Sequence, residues 1–354
     1  MKIKILKFSI LLAILLAVVV SCEDDDDVTT VFVEIDRTEQ QLEDNEIILN
    51  YLASHYYNSS FFETGSNHKY TDIVITELAQ DADGNFEEVP EGHTLLSQAV
   101  VTKNVTYEEA DYEYYILNLN QGGGEAPKFT DAIRVRYEGS SINDEVGGEE
   151  EIFDSSIIPA EFNLQTDFFN VGAVIKAWQL VMPQFNASSS FEINNDGVVD
   201  FINPGLGVMF VPSGLAYFSG IATGSSFDNL IFKFELLQYQ TVDHDNDGIP
   251  SYIEDLDEDL DVTNEDADED GFFNFIDNDD DGDGVLTIDE LIPGTRLVGE
   301  TFSPNEFEIS RSEVNGVMTI KTVTIADSPG SDGQPDGIPD YLDENISINY
   351  NADN

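Results

Sequence analysis

The chain has 354 residues, with 14 Lys and Arg against 71 Asp and Glu, for a net charge of −57. Such a polyanion cannot replace the counterions of nucleic acid or adsorb electrostatically to an anionic membrane, so nucleic acid is excluded as a partner and multivalent cations are favoured. Apolar residues make up 41% and aromatics 11%, too many for a wholly disordered chain, so the charge is spread unevenly over something that folds.

Residues 1–22 read MKIKILKFSILLAILLAVVVSC. Lys2, Lys4 and Lys7 precede an apolar run from Phe8 to Val20 that only Ser9 interrupts. The run suits the core of a signal peptide and is short for a transmembrane helix. Its end, Val-Val-Ser-Cys22, resembles the lipobox of bacterial lipoproteins. That resemblance implies a signal peptide over 1–21, removed by cleavage, and lipidation of Cys22. The lipid would anchor the protein to the outer membrane, because two or three acyl chains hold stably where one holds marginally. Cys22 is the single cysteine, so an intrachain disulfide is excluded. The acidic run Glu23–Asp27, within a tether over 22–30, has two readings. It is a self-repelling spacer, or, as it also resembles, the surface-export signal of Bacteroidetes lipoproteins. Which membrane face is occupied stays open.

An N-terminal α/β extension is expected over 31–110. VFVEID at 31–36 alternates like a strand. Residues 38–57 read as a helix whose apolar face is Leu42, Ile47, Ile48, Leu49, Leu52 and Tyr56, with Thr38 as N-cap and Gln41 as its capping-box partner. Residues 70–120 read as strands: TDIVITEL, a hairpin turn at Asp81–Asn85, then LLSQAVV and YEYYILNL. Gly122–Gly124 and Pro127 mark a break.

From 111 to 240 a series of landmarks follows in order: Ile133–Gly139, ending in Tyr-x-Gly; Ile152–Ser156; Phe162–Leu164; Val174–Trp178; Val211–Tyr217; and Leu230–Leu237. Their order and spacing resemble the FKBP-type peptidyl-prolyl isomerases. The resemblance implies a bent antiparallel sheet around one short helix, at Val174 to about Met182, with the pocket between helix and sheet. Carried over residue by residue, the pocket is lined by Tyr137, Phe153, Asp154, Phe162, Val174, Ile175, Trp178, Tyr217 and Phe232. Trp178 matches the floor, the Ile175 N–H the donor to the substrate carbonyl, and Asp154 and Tyr217 the polar rim. The chain departs from the family at Ala160, Ala177, Phe218 and Ala222–Asp228. An insertion over about 186–206, with a turn signal at Asn195–Gly197, reads as an extra hairpin.

Residues 241–290 hold 16 Asp and 5 Glu with no Lys or Arg. Two stretches match the calcium-loop pattern D-x-[DN]-x-[DN]-G-x5-E, with ligands Asp243, Asp245, Asp247 and Glu254, and Asp279, Asp281, Asp283 and Glu290. A third, Asp266, Asp268, Asp270 and Asp277, ends in Asp. In this pattern acids at positions 1, 3 and 5 converge on one ion, glycine at 6 permits the sharp turn, and the acid at 12 closes the shell. Oxygen-only ligands select hard cations. Four dispersed histidines, at 55, 68, 93 and 244, give no support to a zinc site. The repeat of Asp-Gly followed at five residues by Tyr252, Phe275 or Tyr341 resembles thrombospondin type-3 calcium repeats. A fourth group, Asp332, Asp336, Asp340 and Asp343, follows a strand-like stretch over 291–326. Calcium is therefore the expected structural cofactor of 241–354, and none is expected for catalysis. No matched pocket residue lies in this tail, so the pocket is expected to fold without calcium.

The chain thus reads as α+β. The reading that the resemblance implies is a lipid-anchored prolyl isomerase acting on X-Pro segments of exported proteins. A binding module without turnover and a calcium-stiffened surface protein are the alternatives.

Overall fold

A computed structural model describes residues 35–142, 151–166, 174–195, 197–314, 317–329 and 335–352. The signal peptide, Cys22, the acidic tether and Asp332 lie outside the described residues. Of the expected strand at 31–36 only Ile35 and Asp36 are described, and neither is in a strand.

Helix α1 spans Arg37–Ser54. Thr38 lies inside it and is therefore not its N-cap. Its buried stripe runs through Gln41, Asp44, Ile48, Tyr51 and Leu52, whereas Leu42 and Leu49 are exposed. The expected apolar face is thus rotated, because Asp44 is buried with its charge satisfied by hydrogen bonds. The helix stops before His55, where the aromatic run His55–Tyr57 becomes β1. This strand pairs with β2 (Ile75–Glu77) and β3 (Thr94–Leu95). The turn at Asp81–Asn85 forms as expected, with Gln80 bridging Phe86 across it. LLSQAVV differs from expectation: Leu96–Ala99 is one helical turn, and the strand resumes at Val101.

Six strands form one antiparallel sheet. They are β4 (Val101–Tyr107), β5 (Ala110–Asn120), β6 (Ala132–Ser141), β7 (Glu151–Asn163), β10 (Gly205–Val211) and β11 (Leu230–Gln240), in the order β4-β5-β10-β11-β6-β7. Within the insertion, β8 (Ser190–Ile193) and β9 (Val199–Ile202) make the expected hairpin. Alternation assigns the two faces. Tyr112, Tyr114, Ile116, Val135, Met209 and Phe234 face helix α2 (Lys176–Val181) and its continuation to Phe185. Tyr115, Leu117, Val208, Phe210 and Ile231 face α1 and the segment around Tyr70. Every residue of β10 is buried, as a strand covered on both faces requires.

The tail packs on this core. Phe129 joins Val262 and Phe275 in one apolar cluster. Lys176 Nζ, at the start of α2, donates to the Leu260 carbonyl at 3.1 Å. The expectation of a pocket independent of the tail therefore meets direct contacts between them. A three-stranded sheet of β12 (Ile292–Leu297), β14 (Val317–Thr324) and β13 (Glu306–Val314) completes the fold.

Candidate functional site

The matched side chains converge between β6, β7, β11 and α2. The Trp178 indole lies 5.2 Å from the Phe232 ring, 5.3 Å from Phe162 and 5.8 Å from Tyr137, centroid to centroid. Phe153 stands edge-on to Phe232 at 5.7 Å and to Tyr217 at 6.4 Å. Trp178, Tyr137 and Phe232 are buried, Phe153, Phe162, Val174 and Ile175 are half-buried, and Asp154 and Tyr217 are exposed. The arrangement is an aromatic cluster with Trp178, Tyr137 and Phe232 buried at its base and Asp154 and Tyr217 exposed at its edge. Such edge-to-face contacts hold rings in fixed positions.

Backbone geometry makes this crowding possible. Gly139 pairs with Phe232 on β11 and with Asp154 on β7. A Cβ at Gly139 would stand 2.6 Å from the Phe232 ring and 2.9 Å from Phe153. The Tyr-x-Gly landmark is therefore a close-approach glycine. Tyr137 donates its hydroxyl to Asp154 Oδ2 at 2.6 Å. Burial, then the Asp154 carboxylate, hold that hydroxyl well above the usual tyrosine range. It stays protonated and ties the floor to the rim. Ile175 is the N-cap of α2, its carbonyl accepting from the Trp178 N–H at 3.0 Å. Among the described residues, no acceptor lies on the Ile175 N–H.

Two supports were not legible in the sequence. Asp44 on α1 is fully buried and accepts from both the Ser213 N–H and hydroxyl. Phe218 sits at φ +47°. It is covered by the Arg37 guanidinium, 4.2 Å from its ring centroid. A left-handed Phe is strained by roughly 1–3 kcal/mol, and the cation–π contact offsets part of that. Both partners lie more than 150 positions away in the chain, so local patterning carries no trace of them.

The acidic loops adopt one repeated geometry. Asp243, Asp245 and Asp247 offer oxygens all within 4.8 Å of one another, as do Asp266, Asp268 and Asp270, and Asp279, Asp281 and Asp283. Gly248, Gly271 and Gly284 follow at φ +100°, +97° and +93°. Glu254 groups with Asp247 and Asp280. Asp277 follows the second loop, and Glu290 is buried close enough to the third to feel the charges of Asp281 and Asp283. The fourth expected group does not converge among the described residues. Asp340 instead accepts from Ser328 Oγ and Tyr350 Oη, each at 2.8 Å, and Asp343 accepts from Asn345. Asp336 accepts from the nearby Ile338 N–H at 3.0 Å.

Sequence reasoning missed one loop and one residue. Asp255, Asp257 and Asp259 form a further triad, in which Leu260 takes the glycine place at φ +67°. The motif's requirement for glycine hid it, although the D-x-D-x-D spacing was visible. Asp280, at the second position of its loop, is the missed residue.

The loops fit a hard cation. Both carboxylate oxygens of Glu254, Asp280 and Glu290 are buried without a hydrogen-bond donor, as is one oxygen each of Asp245, Asp247, Asp281 and Asp283. Burial and neighbouring carboxylates hold Asp245 and Asp247 well above the usual carboxylate range and push Asp280 up to about 10. Buried acids without donors must be neutralised, by protons or by a cation.

The comparisons with known proteins bear on separate parts of the chain. The family model described as BamM C-terminal matches residues 244–313, from the first acidic loop into β13. The comparison with curated proteins finds no match. Among solved structures, the chain is similar to a peptidyl-prolyl cis-trans isomerase from Pseudomonas syringae pv. tomato, at 20% identity and a TM-score of 0.27, over 39% of this chain and 80% of that one. It is also similar to FkpA from Escherichia coli, at 24% identity and a TM-score of 0.28, over 40% of this chain and 52% of that one. The N-terminal domain of FKBP42 from Arabidopsis thaliana follows at 13% identity and a TM-score of 0.27, over 40% of this chain and 92% of that domain. No helix among the described residues is long and apolar enough to cross a membrane.

Proposed function

We propose that residues 111–240 catalyse peptidyl-prolyl cis-trans isomerisation, that the chain is held to the outer membrane by lipid on Cys22, and that residues 241–354 bind calcium. The observation that carries the enzymatic reading is the aromatic cluster, with Trp178 as its floor and Tyr137, Phe153, Phe162 and Phe232 as its walls. Isomerisation is a rotation about a C–N bond against a barrier of ~18–20 kcal/mol, and X-Pro bonds are those with appreciable cis population. The twisted amide loses resonance, so its carbonyl is less dipolar and better tolerated away from water. A dry recess that accepts a proline ring and favours the twisted form lowers the barrier without nucleophile or general base. The Ile175 N–H is the donor for the bound carbonyl. Exported polypeptides are the substrates in this reading, since the anchor places the chain outside the cytoplasm.

The deciding test is a protease-coupled assay of the full chain on an X-Pro peptide in calcium. Catalysed isomerisation supports the reading. Only the uncatalysed rate, from protein shown folded by circular dichroism, would overturn it and leave a module that binds without turnover.

A further inference from the structure

The first acidic loop and Asp280 together place five carboxylates in two overlapping groups. Asp243, Asp245 and Asp247 form one converging triad, while Asp247, Glu254 and Asp280 form a second that shares Asp247. The second triad is the more deeply enclosed, each of its members being 1% exposed. Both oxygens of Glu254 and of Asp280, and Oδ2 of Asp247, are buried with no donor. The other Asp247 oxygen accepts from the Ile249 N–H at 2.7 Å. These unpartnered, buried oxygens point to a ligand independently of the acidic composition.

Charge counting sets the number of ions. The two triads together hold five carboxylates. One divalent cation leaves a net charge of about −3 in a buried site, and two leave about −1. No Lys or Arg lies within 241–290 to make up the difference. The spacing also fits, because an ion that holds oxygens at ~2.3–2.6 Å spans up to about 5 Å between opposite ligands, and each triad falls within 4.8 Å.

We infer that the tail holds a two-cation centre, in which a second calcium, bound by Asp247, Glu254 and Asp280, bridges the loop beginning at Asp243 to the loop beginning at Asp279. This rests on the calcium reading of the tail and goes beyond it. It gives Asp280 a role that the loop pattern does not assign, and it makes the second ion a cross-link between loops that begin 36 positions apart in the chain. Thr287 Oγ1 accepts from the Asp280 N–H at 3.3 Å, which fixes the backbone that presents this carboxylate.

Two measurements on the full chain test the centre. Native mass spectrometry at about 1 mM calcium counts bound ions in the wild type, Asp280→Asn and Glu254→Gln. Each variant should carry one ion fewer than the wild type, since each loses a member of the same triad while Asp243, Asp245 and Asp247 remain. A folded Asp280→Asn protein with the wild-type count overturns the inference. A wild type that binds no calcium overturns the calcium reading itself, a distinguishable result. Should a variant fail to fold, anomalous scattering from wild-type crystals grown in calcium decides. Two neighbouring peaks flanking Asp247 support the centre, and a single peak there overturns it.

Discussion

Asp44 and Ser213 are joined by two hydrogen bonds to one oxygen: Asp44 Oδ2 accepts from the Ser213 hydroxyl at 2.6 Å and from its N–H at 2.9 Å. Gln40 Nε2 donates to the other oxygen at 2.9 Å. Asp44 lies on the helix covering one face of the sheet, and Ser213 opens the loop that carries Tyr217 to the rim of the recess on the other. With Arg37 over the Phe218 ring, the pair joins the N-terminal extension to that loop.

Asp44→Ala should therefore act on the rim as well as on stability. Removing a buried acceptor strands the donors it satisfied and costs about 1–3 kcal/mol. Thermal unfolding should fall by several degrees. The kcat/KM for an X-Pro peptide should fall too, while Ser213→Ala, which keeps the N–H bond, should show a smaller loss of both. Equal kcat/KM for Asp44→Ala and wild type would show that the loop holds its position without this anchor.

Phe153→Ala opens one wall of the recess and leaves the floor. The side chain is half-buried, so its removal costs less stability than the ~3–5 kcal/mol of a core phenylalanine. We expect kcat/KM to drop about tenfold, equivalent to ~1.4 kcal/mol of transition-state stabilisation. Gly139→Ala should do more harm by an opposite route, since its Cβ collides with the Phe153 and Phe232 rings. Circular dichroism alongside the assay separates the two cases. A folded Phe153→Ala protein with wild-type kcat/KM would remove that ring from the site.

The parts legible in the sequence were those set by local rules. Strand-like patterning located β5 and β6, the ordered landmarks of the family resemblance placed β11, the Asn195–Gly197 turn gave the β8–β9 hairpin, and D-x-D-x-D-G spacing found three of the triads. What escaped depended on distant partners. Asp44 is buried because Ser213 meets it, which rotates the face of α1 away from Leu42 and Leu49. Leu260 holds a left-handed turn that the pattern reserves for glycine. Asp280, to which the loop pattern gives no place, lies beside Asp247 and Glu254 of another loop. In each case tertiary context overrides a local preference, and one sequence read alone does not contain that context.

The carboxylate pKa values give the tail a pH dependence that calcium should suppress above about pH 5. Without cations, burial and neighbouring carboxylates hold Asp245 and Asp247 well above the usual carboxylate range and push Asp280 up to about 10 and Glu290 to about 8, against about 4 when unfolded. The folded state then binds more protons between those limits, so stability falls as pH rises from about 4 to about 10. Bound calcium requires the ionised acids and depresses the same pKa values, so stability is present above about 4 and lost as pH falls. In chelator the chain should melt higher at about pH 5 than at about pH 8, and in calcium this difference should largely disappear, with stability lost only as pH falls towards about 4. A melting temperature in chelator that does not change across this window would contradict the buried clusters.

Calcium removal should also reach the recess. Lys176, the first residue of α2, immediately follows Ile175 and donates to the Leu260 carbonyl. Leu260 closes the Asp255–Asp259 loop, whose N–H groups at 259 and 260 bind back to Asp255. Burial pulls the Lys176 pKa down, and Asp261, Asp259 and Asp255 oppose that shift, so the ammonium depends on this loop for compensation. Calcium-free loops repel internally and should expand, which withdraws both the carbonyl and the compensating charge from the start of the pocket helix. We expect chelation to lower kcat/KM several-fold, and added calcium to restore it. Lys176→Met keeps the apolar stem and loses the bond. Its kcat/KM in calcium should resemble that of the chelated wild type and should respond less to chelator. Identical activity of the wild type with and without calcium, measured while the tail's own compaction is followed by small-angle scattering, would show that the contact transmits nothing to the site.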